Sequence, residues 1–466
     1  MREDWTGSID LHLDLDPSGG RRAGLERALR DAIRSRRLAP GDVVPSTRAL
    51  AAELGLARGT VTAAYDQLTA EGYLTAVPGS RTRVAAGPAP GPAAPVPPAA
   101  EPSPAAAAHD LLPGRPDAST FPAAAWLRST RRVLASAPPD VHALGDPRGR
   151  PELREALAGY LGRARGVQAD PARIVVTSGY AQSLGLLAAV LRDLGTTAFA
   201  MEEPGHFFHR EIVRRAGLGI VPLPVDERGA HPGPLDRAGA AVLTPAHQYP
   251  TGATLRPDRR RAFTAWARQA GATIVEDDYD GEFRYDRQPV GALQGTAPDH
   301  VVYGGTASKT LAPAMRLAWL VLPERLVEPF AEAKRLADAH TQSLAQLTLA
   351  DLIDTHAYDR HVRAARLRYR RRRDLLVATL RERAPHVGVQ GIAAGLHALA
   401  LLPDGGQGEG EIMRRAAFHD LALMPLRDHW QEPDGRPQGL VVGYSTPVGA
   451  AYPAALDALC TVLAPV

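Results

Sequence analysis

The chain has 466 residues, enough for more than one domain, and its 45% hydrophobic content allows sizeable cores. A net charge of +3 names no partner, and a single cysteine, Cys460, excludes an internal disulfide framework. No Cys/His spacing suggests a metal site. No apolar run reaches the length of a membrane span. Met1–Asp16 carries Asp4, Asp10, Asp14 and Asp16 without an apolar core and does not read as a signal peptide. A soluble, cytoplasmic chain with no membrane partner is expected.

Pro17 to Val84 holds 11 Arg against 6 Asp+Glu. A compact basic segment suggests nucleic acid, although most charge runs are only solvated faces. Leu25, Ala28, Leu29, Ala32 and Ile33 have helical spacing and predict a helix over Leu25–Arg37. Leu38–Pro45 reads as a turn. Ser46 can cap a second helix, Thr47–Leu54, which Gly55 ends. Ala57-Arg58-Gly59-Thr60 opens a third, running to Glu71. Two short helices joined by a tight glycine-containing turn form a helix-turn-helix. Gly72–Val77 and Thr82–Val84 then flank Pro78-Gly79-Ser80-Arg81, a short hairpin or wing. On DNA, the start of the third helix would present Arg58, Thr60 and Thr62 to the major groove. Ser46 and Arg48 would reach phosphates, and Arg81 and Arg83 the backbone or minor groove. A small protein-interaction domain has the same helical pattern.

This segment resembles the winged-helix domain of the GntR family. Pro45-Ser46-Thr47-Arg48-Ala49-Leu50-Ala51, Arg58-Gly59-Thr60-Val61 and Glu71-Gly72-Tyr73-Leu74 carry the resemblance, which covers Leu25–Val84. It implies an α+β winged helix that binds double-stranded DNA. Arg81 stands where that family usually has glycine.

Ala85–Ala108 is almost entirely Ala, Pro and Gly. Proline removes amide donors and fixes φ, so the stretch favours polyproline II over helix or sheet. At about 3.1 Å per residue it could span on the order of 70 Å. The expected organisation is a DNA-binding domain over 1–84, a linker over 85–109 and a second domain over 110–466.

In that second domain strand-like runs alternate with helical ones. Arg173–Thr177 precedes a helix over Tyr180–Leu194, Thr273–Glu276 precedes Asp277-Asp278-Tyr279-Asp280, and Val301–Tyr303 precedes Gly304–Thr310. Such alternation predicts an α/β domain with a mainly parallel sheet and ligands at the carboxyl ends of its strands.

Only two of the 54 Lys+Arg residues are lysine, Lys309 and Lys334. Arginine keeps its proton, whereas lysine can lose it and form a Schiff base. Lys309 sits in Gly304-Gly305-Thr306-Ala307-Ser308-Lys309-Thr310, at a strand end among small residues and hydroxyls. That setting suits an aldehyde cofactor carrying a phosphate, pyridoxal phosphate; an ordinary surface lysine is the plain alternative, and is the reading for Lys334. Four constellations fall at strand ends. Thr177-Ser178-Gly179-Tyr180-Ala181-Gln182 leads into a helix whose free amides favour a phosphate. Asp277 could pair with a pyridinium nitrogen, and Tyr279 could reach the ring hydroxyl. Ser308 and Arg316, with Thr306 in the same loop, could complete the phosphate cradle. Tyr249, in Pro245–Gly252, could line the ring edge. Each has a structural alternative, such as a buried Asp serving only as a hydrogen-bond acceptor.

Together these residues resemble the fold-type-I aminotransferases, and more narrowly the MocR branch, in which a GntR-type domain is fused to an aminotransferase-like domain. The resemblance rests on His247–Gly252, Glu276–Phe283, Ser308–Leu311 and Gly145–Gly149 with Glu152-Leu153-Arg154. It implies Lys309 in Schiff-base linkage with pyridoxal phosphate, pyridine pairing by Asp277, a ring-hydroxyl contact from Tyr279 and phosphate contacts from Ser308 and Arg316. It also implies a head-to-tail homodimer. Three positions depart from the pattern. His206 stands at the ring-stacking position often held by tyrosine, and its charge would depend on pH. Leu144 stands where a tyrosine usually reaches the partner's phosphate. By spacing, Gln438 occupies the place of the carboxylate-binding arginine, with Arg436 and Arg427 nearby. The expected function is a DNA-binding regulator with pyridoxal phosphate or an amine as effector, the cofactor-sensing version controlling vitamin B6 synthesis or salvage. A working aminotransferase is the competing expectation. Arg363–Arg373 reads as a solvated connecting helix and not a second DNA contact.

Overall fold

The computed structural model describes residues 13, 15, 20–76, 81–85, 107–233, 235–285 and 290–465. The chain separates into two compact units, Met1–Ser103 and Pro104–Val466. The wing tip at 77–80 and most of the Ala/Pro-rich stretch lie outside the described residues, as does most of Met1–Asp16. Among the described residues no helix is long and apolar enough to cross a membrane.

In the smaller unit α1 (Arg21–Arg34), α2 (Thr47–Glu53) and α3 (Arg58–Ala70) precede an antiparallel pair, β1 (Leu74–Thr75) and β2 (Arg83–Val84). The first helix stops short of Arg37. Ser35 Oγ bonds back to the Asp31 carbonyl at 2.6 Å, and Arg36 turns left-handed at φ 60°, a conformation that helices of L-residues do not continue. Ser46 caps α2 by accepting from the Ala49 amide at 3.2 Å. Leu25, Leu29, Leu50, Val61, Leu68, Leu74 and Val84 make one core, and the Tyr65 hydroxyl ties α3 to the Pro45 carbonyl at 2.8 Å.

The larger unit opens with β3 (His109–Asp110). Its main sheet uses β4 (Ile174–Thr177), β5 (Ala198–Glu203), β6 (Gly219–Asp226), β7 (Gly229–Ala230), β8 (Ala240–Leu243), β9 (Thr273–Asp277), β10 (Val301–Thr306) and β11 (Ala318–Val321). The spatial order is β4-β11-β10-β9-β8-β5-β6-β7. Pairings from β10 through β6 are parallel. β11 runs antiparallel to both β10 and β4, so β4 points the same way as β10. The carboxyl ends of β4, β5, β8, β9 and β10 therefore share one edge, where the alternation of elements placed ligands.

Side chains alternate across this sheet. Ile174, Val176, Tyr303 and Trp319 face the helices Pro151–Arg165 and Ser343–Asp354. Val175, Val302 and Leu320 face Tyr180–Asp193 and Glu324–Asp338. A second, antiparallel sheet takes β12 (Gly388–Gln390), β13 (His397–Leu401), then, beyond β14 (Leu421–Ala422), β15 (Met424–Pro425) and β16 (Gly439–Gly443). β14 pairs with β3.

Two expectations need correction. The helix Ala357–Arg383 contains the arginine run, and Arg363, Arg370 and Arg371 are exposed. Arg372 is not solvated. It is 7% exposed and meets the buried Asp117 at 3.1 Å, while bonding the Ser445 carbonyl at 2.7 Å. Lys334 is not a surface lysine either. Its side chain is wholly buried, with the amine 2.6 Å from Asp338 one turn on. Its apolar stem packs inward on the buried face of its helix, and the local carboxylate satisfies its charge.

The Arg372–Asp117 pair yields a stability prediction. Asp117→Ala leaves a buried guanidinium without its counter-charge, which costs about 3–5 kcal/mol. Urea denaturation of the variant is expected to show that loss; a change below about 1 kcal/mol would contradict it.

Candidate functional site

The residues at the shared strand edge enclose a cavity of about 280 Å³. Lys309, Asp277, Tyr279, Ser308, Arg316, Tyr180, Ala181, His206, Tyr249 and Thr306 all line it. They come from five segments far apart in sequence, and the topology brings them together.

The glycines at the end of β10 admit bulky neighbours. A Cβ at Gly304 would meet the Tyr180 ring at 2.8 Å, and one at Gly305 the Trp319 indole at 2.3 Å. The chain then turns, with the Thr306 hydroxyl bonding Ser308 Oγ at 2.9 Å and accepting from the Ser308 amide at 3.1 Å. Lys309 follows, its amine donating to the Gly114 carbonyl at 2.5 Å. Burial pulls that amine below its ordinary pKa, and the Asp277 and Asp280 charges oppose the shift. A neutral amine is the nucleophilic form.

Asp277 closes β9 at 5% exposure. Burial pushes its carboxyl well above the usual carboxylate range, and the Lys309 charge pulls the other way. The Tyr180 hydroxyl is buried beside Asp277 and completes no hydrogen bond. At the far side, Gly179 begins the helix Tyr180–Asp193 with φ 116°. A Cβ there would sit 2.8 Å from the Arg316 guanidinium, so only glycine lets that side chain lie against the helix start. Arg316 itself holds φ 51°, an unfavourable backbone for a non-glycine residue that aims its side chain into the cavity. Lys334 contributes from behind. Asp338 accepts from Gln182 at 2.7 Å, and Gln182 accepts from the Ser178 amide at 2.7 Å.

These features fit pyridoxal phosphate. A guanidinium and hydroxyls gather at a helix N-terminus, where a phosphate is favoured. A buried carboxylate awaits a cation, and a lysine with a weakened hold on its proton lies near it.

Several lining residues were missed in sequence. His209 stacks on His206, with ring centroids 4.1 Å apart and planes at 11°, and lies 3.7 Å from Asp277. The i, i+3 spacing of His209 from His206, the N-cap of the helix Phe207–Arg215, was the available signal. Glu202, in β5, accepts from Thr244 and Gln248, and burial lifts its pKa to about 7. Pro113 and Gly114, by contrast, stand out in the sequence within Leu112–Asp117, a stretch that favours the cofactor-sensing reading, and they also line the cavity. The expected pH-dependent charge on His206 is also corrected. Burial, aided by His429, Lys309 and Arg210, lowers its pKa to about 4.

Gln438, Arg427 and Arg436 do not line the cavity. Gln438 caps the helix Glu409–Phe418 through the Glu409 amide at 2.8 Å, and Arg436 lies over the Trp430 ring at 5.0 Å. Among the described lining residues the arginines are Arg316 and Arg210. Arg210 is 3.1 Å from the buried Glu203 and donates to the His429 carbonyl at 2.9 Å. Leu144 is 82% exposed and outside the cavity.

In the smaller unit Arg48, Arg58, Thr62, Arg81 and Arg83 are exposed, with Thr60 half-buried. Arg58, Thr60 and Thr62 fall in the first turns of α3. Arg83 bonds the Gly41 carbonyl at 2.8 Å, and Thr62 bonds back to the Arg58 carbonyl at 3.0 Å.

Comparison with known proteins agrees with both halves. Residues 22–84 match the family of bacterial regulatory proteins, gntR family, and residues 114–403 match aminotransferase class I and II. The pyridoxine biosynthesis transcriptional regulator PdxR of Corynebacterium glutamicum is 32% identical, over 88% of this chain and 88% of its own. The probable rhizopine catabolism regulatory protein MocR of Rhizobium meliloti is 32% identical over 93% and 92%. Among solved structures, kynurenine aminotransferase of Pyrococcus horikoshii superposes with a TM-score of 0.70 at 23% identity, over 77% of this chain and 91% of that one. The chain therefore belongs to the MocR-type transcription regulators of the GntR family, with a winged-helix DNA-binding domain joined to an aminotransferase-like domain whose cofactor is pyridoxal phosphate.

Proposed function

We propose that this regulator responds to pyridoxal phosphate itself and controls synthesis or salvage of that vitamin. One observation carries the reading. The cavity supplies groups for every part of the cofactor, yet its two arginines are committed, Arg316 to the helix start and Arg210 to Glu203. Among the described lining residues no further arginine stands ready to receive the carboxylate of an amino-acid effector. The relative PdxR, a pyridoxine biosynthesis regulator, supports the same reading.

In this reading Lys309 is the covalent anchor and Asp277 the partner of the ring nitrogen. Tyr279 would reach the ring hydroxyl and Tyr249 would line the ring edge, while Ser308, Thr306, Arg316, Tyr180 and Ala181 would surround the phosphate and His206 would stack on the ring. The cofactor supplies an aldehyde for the lysine and an anion for the arginine. Asp277 stays ionised once a cation meets it, and Lys309 gives up its proton readily because it is buried. DNA is read by Arg58, Thr60 and Thr62, with Ser46, Arg48, Arg81 and Arg83 on the backbone. Domains over 1–84 and 110–466 joined by a linker over 85–109 act in a head-to-tail homodimer in the cytoplasm. The effector moves the DNA-binding units only if it binds two states of the large domain differently.

Amino-group transfer across a panel of amino donors tests the competing enzyme reading. Turnover far below one per second is expected; turnover at ordinary enzyme rates, on the order of one per second or faster, would overturn a purely regulatory role. The stacking role of His206 predicts a flat pH response. With its pKa at about 4 the ring is neutral at pH 7 and gains charge only as pH falls towards 4. The ratio of cofactor affinities between the wild type and His206→Phe should therefore be constant from pH 8 to about 5.5 and change only below. A break near pH 6.5 would show an ordinary, solvated imidazole.

A further inference from the structure

Three side chains from separate segments meet behind the cavity wall made by Tyr249 and Tyr279. His247 lies in the loop after β8, Asp280 in the turn after β9, and His397 opens β13 of the second sheet. All three are buried, and each offers a ligand atom within 4.8 Å of the others. His247 Nδ1 is 2.8 Å from Asp280 Oδ2 and 3.1 Å from the Tyr279 hydroxyl.

His397 is the unexplained member. It is 3% exposed, and among the described residues neither ring nitrogen completes a hydrogen bond. The Pro250 carbonyl approaches the ring as a hydrogen-bond acceptor and raises its pKa, but the geometry falls short of a formed hydrogen bond. The His397 ring faces that of His247 with centroids 4.9 Å apart. Buried polar groups without partners are rare, and an ion is one of the few things that explains them. The backbone is shaped to allow the approach. Gly395 holds φ 75°, and a Cβ there would meet His247 at 2.2 Å and Asp280 at 2.5 Å, so no other residue lets the second sheet come this close.

We propose that His247, Asp280 and His397 bind one divalent first-row transition-metal ion, of which zinc is the representative. Two imidazoles and a carboxylate are a zinc-type donor set that leaves a position for water. With metal–ligand bonds of about 2.0–2.2 Å, bound donor atoms lie roughly 3–3.5 Å apart. The ion opens the His247–Asp280 hydrogen bond and draws His397 in, by shifts on the order of 1 Å. Two ligands follow strands of the main sheet and the third begins a strand of the second, so the ion clamps the two sheets together beside Tyr279.

The test uses the untagged full-length chain carrying its cofactor, stripped with a chelator, loaded with zinc, desalted and assayed for metal. One zinc per chain is expected. In competition with a chromogenic chelator, His397→Ala should bind zinc at least tenfold more weakly while keeping the cofactor's absorbance. Cobalt in place of zinc gives visible bands that depend on its ligands, and these should appear with one equivalent in the wild type. Substoichiometric zinc, or equal affinity in His397→Ala, would overturn the proposal. If that variant does not fold, the wild-type cobalt spectrum decides: no ligand-dependent bands at one equivalent would mean that a buried water fills the role instead.

Discussion

Lys309→Ala is expected to abolish the visible absorbance of the protein-linked cofactor while leaving the fold intact. The other lysine is not placed to take over. The second lysine, Lys334, is wholly buried against Asp338 and does not line the cavity. Among the described residues the lost side chain makes one hydrogen bond, to the Gly114 carbonyl, so the stability change should stay within about 1–2 kcal/mol. Absorbance after loading with pyridoxal phosphate and desalting is the readout. A band that survives in the variant would mean that Lys309 is not the anchor.

The second large effect is on DNA. Arg58 is exposed at the first position of α3, where a recognition helix presents side chains to base edges. Arg58→Ala should weaken binding to the specific site by about 1–3 kcal/mol, roughly 5- to 150-fold, and relax discrimination at one position. Arg48→Ala, as a phosphate contact, should weaken all sequences alike and lower the salt slope by about 1. Titrations of specific and scrambled duplexes at several salt concentrations separate the two. If Arg58→Ala weakens both duplexes equally, the helix does not read bases through this residue.

The legible parts of this chain were those written locally. Helical spacing from Leu25 to Ile33 and the Ser46 cap marked the helix-turn-helix, and the apolar runs before Asp277 and Lys309 marked strand ends. Nine cavity residues followed, because a strand's carboxyl end is a local address that the parallel sheet then gathers; the tenth, His206, came from the family resemblance. What stayed hidden depends on contacts distant in sequence. The short strand Ala318–Val321 inserts antiparallel between β4 and β10, and nothing in its four apolar residues announces that direction. Gly114 meets Lys309 across 195 positions. Lys334 and Arg372 look like surface charges until Asp338 and Asp117 are seen beside them. His206 looked titratable because its burial cannot be read from composition.

The central claim is that pyridoxal phosphate alone alters DNA recognition. Its most direct test is titration of duplexes from upstream of the protein's own gene and the neighbouring genes, with and without the cofactor. The account predicts a specific complex whose affinity changes on adding pyridoxal phosphate and whose response disappears in Lys309→Ala. Specific binding of equal affinity with and without the cofactor would contradict it.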